Sequence, residues 1–514
     1  MPPSREEERD RRSGATARPR VTGGWRRTLA EALCLLVVAL IVLWQLRWRG
    51  FTGMADNGDW PRLMNQAGLS FAPRDQVTFG NRLVRLLPRA AEAGDWRQYP
   101  TSAAPFVRTG VKADSAAGGH GRFDLGVLGL GYLAVFLACV YGLLRTTRRL
   151  ALVPRVLAVV VGGLLVTDYA FTAYFHSLYS EPVAILATLA TIGAALGWAS
   201  TPGSLRWVAL TCLFLIIAVT AKAQYAPTGG VVALGIFGVG ALALYRRQWR
   251  RGVAATLAAV LVLGAGAAEL SLQPDRLTGY NTWDETYVEL VPYARTPSAA
   301  LKELGLDPRL AVFAGLNAYQ PRTPLHDRAL AKAYPHPLPT RGALLTYWVK
   351  HPDQTADLMW RGRPAFGEWR PQYIANITTQ PHYPRPTLVS GAAAWSGTVR
   401  ALGSGALPIV VLVLLAGLVA PTVALRRQRR ALRVQHALVV IPALSVAASS
   451  QYVAVLLGDG RYELVKHLLL FDLLWASTAV GLVVWATASL VARLPRRRPK
   501  PARLRSTTAS RPVA

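Results

Sequence analysis

Two carboxylates three residues apart, Asp56 and Asp59, lie just after the first long apolar run, within the stretch ADNGDWPR at residues 55–62. A carboxylate beside a membrane helix is costly unless it is used or paired. A positioned carboxylate can also act as a general base that takes the proton of a reacting hydroxyl group. Residues 55–62 are therefore a candidate wall of an active site. Asp56 lies nearer the apolar run, and this favours Asp56 over Asp59 as the base.

Further polar residues of both charge signs occur where later apolar runs end. Arginine binds phosphate with two parallel hydrogen bonds, and lysine binds it as a point charge. Cations beside a departing phosphate stabilise the charge that develops there. Together with Arg62, the predicted substrate-binding residues are Glu181, Lys222, Gln224, Arg461, Glu463, Lys466 and His467.

Each of these residues also has a structural interpretation. Asp56 could close an Asx turn, and Glu181 could stabilise a helix N-terminus. Lys222 could extend its ammonium group to the membrane interface, and Arg461 could be an interfacial anchor. An EF-hand calcium loop is excluded because Ala67 occupies the twelfth position from Asp56, where glutamate is required. We predict no metal site.

The composition is that of a membrane protein. Of the 514 residues, 52% are apolar and 17% are charged, against about 25% charged in soluble domains. The apolar residues form blocks of about 20, the length that crosses a bilayer as a helix. We therefore predict an all-α polytopic membrane protein with about ten transmembrane helices. The predicted helices are 29–46, 124–144, 152–170, 182–200, 205–221, 228–245, 252–270, 404–424, 432–457 and 465–492.

The net charge of +30 indicates the orientation. With the N-terminus inside, about half of the 58 basic residues fall on cytoplasmic segments, which hold only four acids. This pattern satisfies the positive-inside rule and predicts that both termini are cytoplasmic. The basic excess flanks the membrane, where it attracts anionic membrane lipids. That location disfavours nucleic-acid binding, the competing interpretation of so basic a chain.

Two long outer segments divide the chain into five parts. The tail 1–28 is predicted to be disordered and cytoplasmic, and 29–270 holds helices one to seven with an outer loop at 49–122. Residues 271–401 form an extracytoplasmic cap, which we predict to be partly helical because it is rich in tyrosine and tryptophan. Helices eight to ten occupy 402–492, and 493–514 is a basic cytoplasmic tail.

An outward cluster of both charge signs at a membrane suits group transfer from a lipid-linked substrate. A sugar carried as a polyprenyl phosphate already has an activated C1–phosphate bond, so one base and a few cations suffice. Aromatic side chains of the cap could stack against sugar faces. A transporter or flippase of lipid-linked glycans is the alternative, and it predicts charges near mid-membrane and repeat symmetry. A non-catalytic envelope scaffold would need no clustering of these residues.

Five stretches resemble a bacterial family of polytopic membrane proteins that are described as glycan-biosynthesis hexose transferases of cell-surface glycan clusters. The similarity spans most of residues 30–480. Where this chain has Tyr225, the family pattern suggests asparagine. The stretches are GMADNGDW at 53–60, YFHSLYSEP at 174–182, AKAQYAP at 221–227, 303–319, and GDGRYE with Lys466-His467 at 458–467.

The resemblance implies the GT-C glycosyltransferase fold, with many membrane helices, a large outer cap and a catalytic acid in the first outer loop. On that pattern the acid is Asp56 or Asp59. Members of the GT-C class typically use polyprenyl-phosphate sugars and invert the anomeric centre. Some need a divalent metal, which nothing in this sequence requires. The implied activity is an inverting hexosyltransferase of the cell membrane with an extracytoplasmic active site, acting on a cell-envelope glycan or a lipid-linked acceptor.

Overall fold

The computed structural model describes residues 24–47, 51–71, 83–86, 99–119, 121–201, 204–371, 374, 376–377, 391–427 and 437–493. The predicted disordered tail as far as residue 23 and the predicted basic tail from residue 494 lie outside these ranges. Most of the predicted cytoplasmic turn at 425–433 also lies outside them.

Helix α1 (Gly24–Arg47) leads into a first long loop of short elements. These are β1 (Gly53–Met54), α2 (Trp60–Ala67), β2 (Leu69–Ser70), β3 (Leu83–Leu86), α3 (Ala104–Ala116) and β4 (Arg122–Asp124). Strands β2, β3 and β4 form one antiparallel sheet. Helix α2 has Pro61 in its first turn and ends at Gly68, whose φ of 72° is left-handed. Both residue types are typical of these helix positions.

Seven helices follow, most of them long. They are α4 (Leu125–Thr146), α5 (Leu152–Val166), α6 (Tyr169–Thr172), α7 (Glu181–Ser200), α8 (Leu205–Val219), α9 (Ala226–Tyr245) and α10 (Trp249–Ser271). Asp124 caps α4 by accepting a hydrogen bond from the amide of Gly126 at 2.7 Å. Helix α7 packs against α8 and α4, and α9 packs against α10.

The second long loop is largely helical where it is described. Helix α11 (Asp275–Trp283) runs directly into a π-helix (Asp284–Leu290). The later elements are α12 (Pro297–Glu303), α13 (Arg328–Ala333), α14 (Arg341–Lys350), α15 (Pro352–Arg361), β5 (Asn376–Ile377) and α16 (Ala394–Leu402). Strand β5 pairs antiparallel with β1, so the two long loops are joined to each other.

The chain closes with α17 (Ala406–Arg427), α18 (Ala437–Asp459), the one-turn helix α19 (Leu464–His467) and α20 (Leu469–Arg493). Helix α18 packs against α17, α20 and α9, and α20 also packs against α5. We call the end of the bundle that carries the described parts of the two long loops, within 51–124 and 272–405, the long-loop end.

Eight helices among the described residues are long and apolar enough to cross a membrane. A ninth span is present if α5 and the helix Tyr169–His176, which meet at a bend of 44°, are counted together. Helix α8 has 15 residues, fewer than the roughly 20 that a span needs. The prediction of a polytopic membrane protein is confirmed. Among the residues that the structure describes, eight or nine helices qualify as spans where ten were predicted, and five short strands accompany the helices.

Candidate functional site

Four segments converge at the long-loop end of the bundle. They are the loop after α1, the turn before α7, the turn after α8, and the connection from α18 to α20. Their side chains form one hydrogen-bonded group, which we call the lysine cluster. Its members are Asn57, Asp59, Tyr179, Glu181, Lys222, Glu463 and Lys466.

Lys222 joins two carboxylates. Its Nζ lies 3.0 Å from Asp59 Oδ2 and 3.0 Å from Glu181 Oε1. The backbone at Lys222 is extended after α8 has ended. Glu181, in the first turn of α7, is fully buried. A buried carboxylate needs such a partner, because an unpaired buried charge is strongly destabilising.

Lys466 contacts the same carboxylate oxygen of Asp59 as Lys222 does. Its Nζ lies 3.1 Å from Asp59 Oδ2 and also bonds to the carboxylate of Glu463. Glu463 has a left-handed backbone with a φ of 53°, which is uncommon for a residue other than glycine and often marks a functional site. Its other oxygen accepts a hydrogen bond from Asn57 Nδ2 at 2.6 Å.

The electrostatics keep the cluster charged. Burial opposes ionisation of Asp59, but Lys222 and Lys466 outweigh it and hold the pKa of this carboxyl well below its ordinary range. Burial likewise disfavours both ammonium groups, yet the surrounding carboxylates raise the pKa of each lysine above its usual value. The Asp59 side chain keeps 35% of its surface exposed. It is therefore the most accessible carboxylate of the cluster.

Asp56 has a different role from Asp59. Its Oδ1 accepts hydrogen bonds from the backbone amides of Gly58 at 2.8 Å and Trp60 at 3.0 Å. Burial raises the pKa of the Asp56 carboxyl above its ordinary value, against these bonds. Among the hydrogen bonds and ion pairs of the described residues, none joins Asp56 to Lys222. The geometry supports the Asx-turn interpretation and makes Asp59, not Asp56, the better candidate base.

Arg62 points away from the lysine cluster. Its Nη2 lies 3.0 Å from Glu269 Oε1, and its guanidinium group lies 3.5 Å from the centre of the Tyr99 ring. It also donates to the carbonyl oxygen of Ala221, the residue before Lys222. Helix α2 turns this side chain into the protein, so Arg62 positions Lys222 through the backbone and does not face the cluster.

The remaining predicted residues have their nearest polar partners outside the cluster. Arg461 Nε is 2.8 Å from Glu289 Oε2 of the π-helix, so this guanidinium is not part of the cluster. His467 Nδ1 lies 3.1 Å from Asp459 Oδ2. Gln224 donates to the carbonyl oxygen of His467 at 3.5 Å, which links the turn after α8 to α19.

The sequence analysis did not single out two members of the cluster, Asn57 and Tyr179, or the neighbouring residues Asp284, Tyr319 and Tyr462. The phenol of Tyr179 donates to Asn57 Oδ1 at 2.8 Å. Both residues belong to stretches that the sequence analysis quoted, at 53–60 and 174–182. Asp284 begins the π-helix, and burial raises its pKa to about 7. Tyr319 and Tyr462 stack nearby with ring centres 5.4 Å apart. No periodicity marks a π-helix, although π-helical turns are frequent at functional sites.

The cluster offers two fixed cations beside one partly exposed carboxylate. That combination can hold an anion and accept a proton. Among the described residues, no group of three or more His, Cys, Asp or Glu side chains could hold a metal ion. The side chains of the cluster can themselves transfer a proton and stabilise a developing charge.

Comparison with known proteins identifies the family but not the activity. Neither a curated protein nor a solved structure matches the chain. Residues 20–504 match the family model described as the YfdI N-terminal transmembrane domain. This description names a membrane domain and no reaction. The match covers the helices and both long loops, and the chain therefore belongs to the YfdI N-terminal transmembrane domain family.

Proposed function

We propose that this protein is an inverting, GT-C-type membrane glycosyltransferase. It moves a hexose from a polyprenyl-phosphate donor to a cell-envelope glycan or a lipid-linked acceptor. The observation that carries the proposal is the convergence of Lys222 and Lys466 on the exposed carboxylate of Asp59 at one end of a membrane bundle. A donor with an anionic head and an apolar tail matches both the cations and their place at the bundle end.

The two lysines bind the donor phosphate. Each ammonium group has three donor hydrogens, and each contacts two carboxylates in the cluster. Glu181 anchors Lys222, and Glu463 anchors Lys466. Two fixed cations stabilise the negative charge that grows on the phosphate as its bond to the sugar breaks.

Asp59 is the general base. It accepts the proton of the acceptor hydroxyl while that oxygen attacks C1 on the face opposite the phosphate, which inverts the anomeric centre. The neighbouring Tyr319 and Tyr462 offer aromatic surface beside Asp59 for a sugar ring. Such polar and aromatic surroundings are typical of small-molecule sites.

The distribution of charge supports an outward-facing site. At the opposite end of the bundle, Glu31 pairs with both Arg148 and Arg155, and further arginines occupy the turn at 246–251. Because basic residues favour the cytoplasmic side, we assign that end to the cytoplasm. The lysine cluster then faces the outside of the cell membrane.

A transporter or flippase of lipid-linked glycans is the second candidate. An apolar cavity of about 970 Å³ favours it, since a lipid chain could occupy the half of the bundle away from the long loops. Its walls include Val37, Val160, Leu189, Ile441 and Val480. The lysine cluster is separate from this cavity and lies at one end, an arrangement that suits chemistry better than passage across the membrane.

Replacement of the native protein by Asp59→Asn in its own host tests the two candidates. A glycosyltransferase predicts that mass spectrometry finds envelope glycans shorter by one hexose, with the polyprenyl-phosphate sugar accumulating. Asp307→Asn, an exposed carboxylate of the second long loop, serves as the matched control and leaves the glycans unchanged. Full-length glycans in the Asp59→Asn strain would contradict the assignment.

A further inference from the structure

The lysine cluster contains more negative than positive charge. Lys222 and Lys466 contribute two cations, whereas Asp59, Glu181 and Glu463 contribute three carboxylates. Asp459 and Asp284 add to the acidic surroundings. A phosphate that simply joined this group would meet net repulsion, because like charges a few ångströms apart disfavour each other. Binding of the proposed donor must therefore displace a carboxylate.

Asp59 is the carboxylate that can move away from the two lysines. Glu181 is buried beneath the cluster, and Glu463 is held by Asn57 as well as by Lys466. Asp59 precedes α2, yet its side chain makes no capping bond to that helix. Among the described residues, the two lysines are the hydrogen-bond and ion-pair partners of its carboxylate. It is also the most exposed of the three.

We propose that the donor phosphate displaces Asp59 from Lys222 and Lys466, so that the same two ammonium groups hold the base at rest and the phosphate during reaction. The inference rests on the proposed function and describes how its site is regulated. While both lysines hold Asp59, its carboxylate is a poor proton acceptor. Arrival of the donor frees the carboxylate, so the base becomes effective only when a phosphate is bound.

The reaction then moves one negative charge from Asp59 to the phosphate and leaves the total charge of the site unchanged. The C1–oxygen bond to the phosphate breaks, and its electron pair stays on the phosphate, which gains one negative charge. The acceptor oxygen forms the new bond to C1. Its proton passes to Asp59, which loses one negative charge. Glu181 and Glu463 act as positioning residues, since Glu181 holds Lys222 and Glu463 holds Lys466 while the second partner of each lysine changes from Asp59 to the phosphate.

The test measures the binding of undecaprenyl phosphate to the purified full chain in lipid nanodiscs. Asp59→Asn removes the competing charge at nearly constant shape, so we expect it to bind the probe at least tenfold more tightly than the wild type. Asp307→Asn, which makes the same change of net charge at a residue outside the cluster, binds as the wild type does. The double variant Lys222→Gln/Lys466→Gln loses at least tenfold in affinity.

Two results would overturn the inference. If Asp59→Asn binds no more tightly than Asp307→Asn while the lysine variant loses affinity, the exchange is wrong and the phosphate site stands. If the wild type itself binds no undecaprenyl phosphate, the proposed donor class fails, and the exchange fails with it. Asp59→Ala removes the same charge as Asp59→Asn and is measured for binding alongside it. Thermal unfolding of each variant shows whether a loss of binding reflects a loss of the fold.

Discussion

Replacement of Arg62 by methionine tests whether this residue stabilises the fold or contacts the substrate, as its position in the sequence suggests. The Arg62 and Glu269 side chains are only 7% and 3% exposed, and their charged atoms lie 3.0 Å apart. Arg62→Met leaves the Glu269 carboxylate buried without its partner. Breaking a buried ion pair from one side costs about 3–5 kcal/mol. We expect the free energy of unfolding to fall by that amount.

Equilibrium unfolding in mixed detergent–SDS micelles measures the loss, and two further variants calibrate it. Arg295→Met removes an ion pair whose members are 90% and 60% exposed, so its cost is about 0–1 kcal/mol. The double variant Arg62→Met/Glu269→Leu replaces both charges by apolar groups and recovers most of the stability. The reasoning is refuted if Arg62→Met lowers the free energy of unfolding no more than Arg295→Met does. A fall in donor binding at unchanged stability would show instead that Arg62 contacts the substrate.

Three further predictions concern the surroundings of the lysine cluster. Asp56→Asn keeps transfer within tenfold of the wild type and lowers stability by less than about 1 kcal/mol, because an amide oxygen can accept the same two backbone hydrogen bonds. Transfer rates and unfolding measure both effects, and a thousandfold loss of rate would restore Asp56 as the base. Burial raises the pKa of Glu285 to about 8, so the folded protein binds this proton more tightly than the unfolded chain does. The stability that follows is fully present below pH about 4.3. It is lost by up to about 1.4 kcal/mol for each pH unit as the pH rises from there towards 8. Thermal unfolding of Glu285→Gln from pH 5 to 8 should lack that slope, and an unchanged slope would contradict it. Gly129→Ala would place a methyl group 2.0 Å from the His176 ring, which should lower stability by about 1–3 kcal/mol; unchanged thermal unfolding would show that the ring moves freely.

The membrane helices were predictable because length and hydrophobicity largely determine them. Each of the ten apolar runs corresponds to helix in the described residues. The number of spans was harder to predict, since α8 ends at Val219 and the chain turns to present Lys222. Hydropathy alone does not distinguish such a short helix from a full span.

Five of the residues that the sequence singled out lie together in the lysine cluster, namely Asp59, Glu181, Lys222, Glu463 and Lys466, but their contacts could not be predicted. Antiparallel helices bring Asp59, Lys222 and Lys466 to one end of the bundle, and their order in the sequence already indicates this. The choice between Asp56 and Asp59 depends on the turn at Gly58, which has a φ of 108° and whose amide donates to the Asp56 carboxylate. The sequence offered this Asx turn as one of two interpretations of Asp56 and could not decide between them.

Other pairings depend on tertiary contacts between distant parts of the chain. Arg62 meets Glu269 and Arg461 meets Glu289, although the members of each pair are more than a hundred residues apart in the chain. A side chain three residues from a candidate base can face either way around a helix, and only packing decides its direction. The sequence therefore assigned both arginines to substrate, whereas the structure shows them in ion pairs.

Release of polyprenyl phosphate by the purified protein tests the central claim most directly. The polyprenyl-phosphate sugar that accumulates in the Asp59→Asn strain is extracted and presented, with extracted envelope acceptor, to wild-type protein in liposomes. The account predicts one polyprenyl phosphate released for each hexose transferred, and no release by Asp59→Asn or Lys222→Gln/Lys466→Gln. Release by Asp59→Asn at the wild-type rate, or movement of the intact donor across the liposome membrane without release, would contradict it.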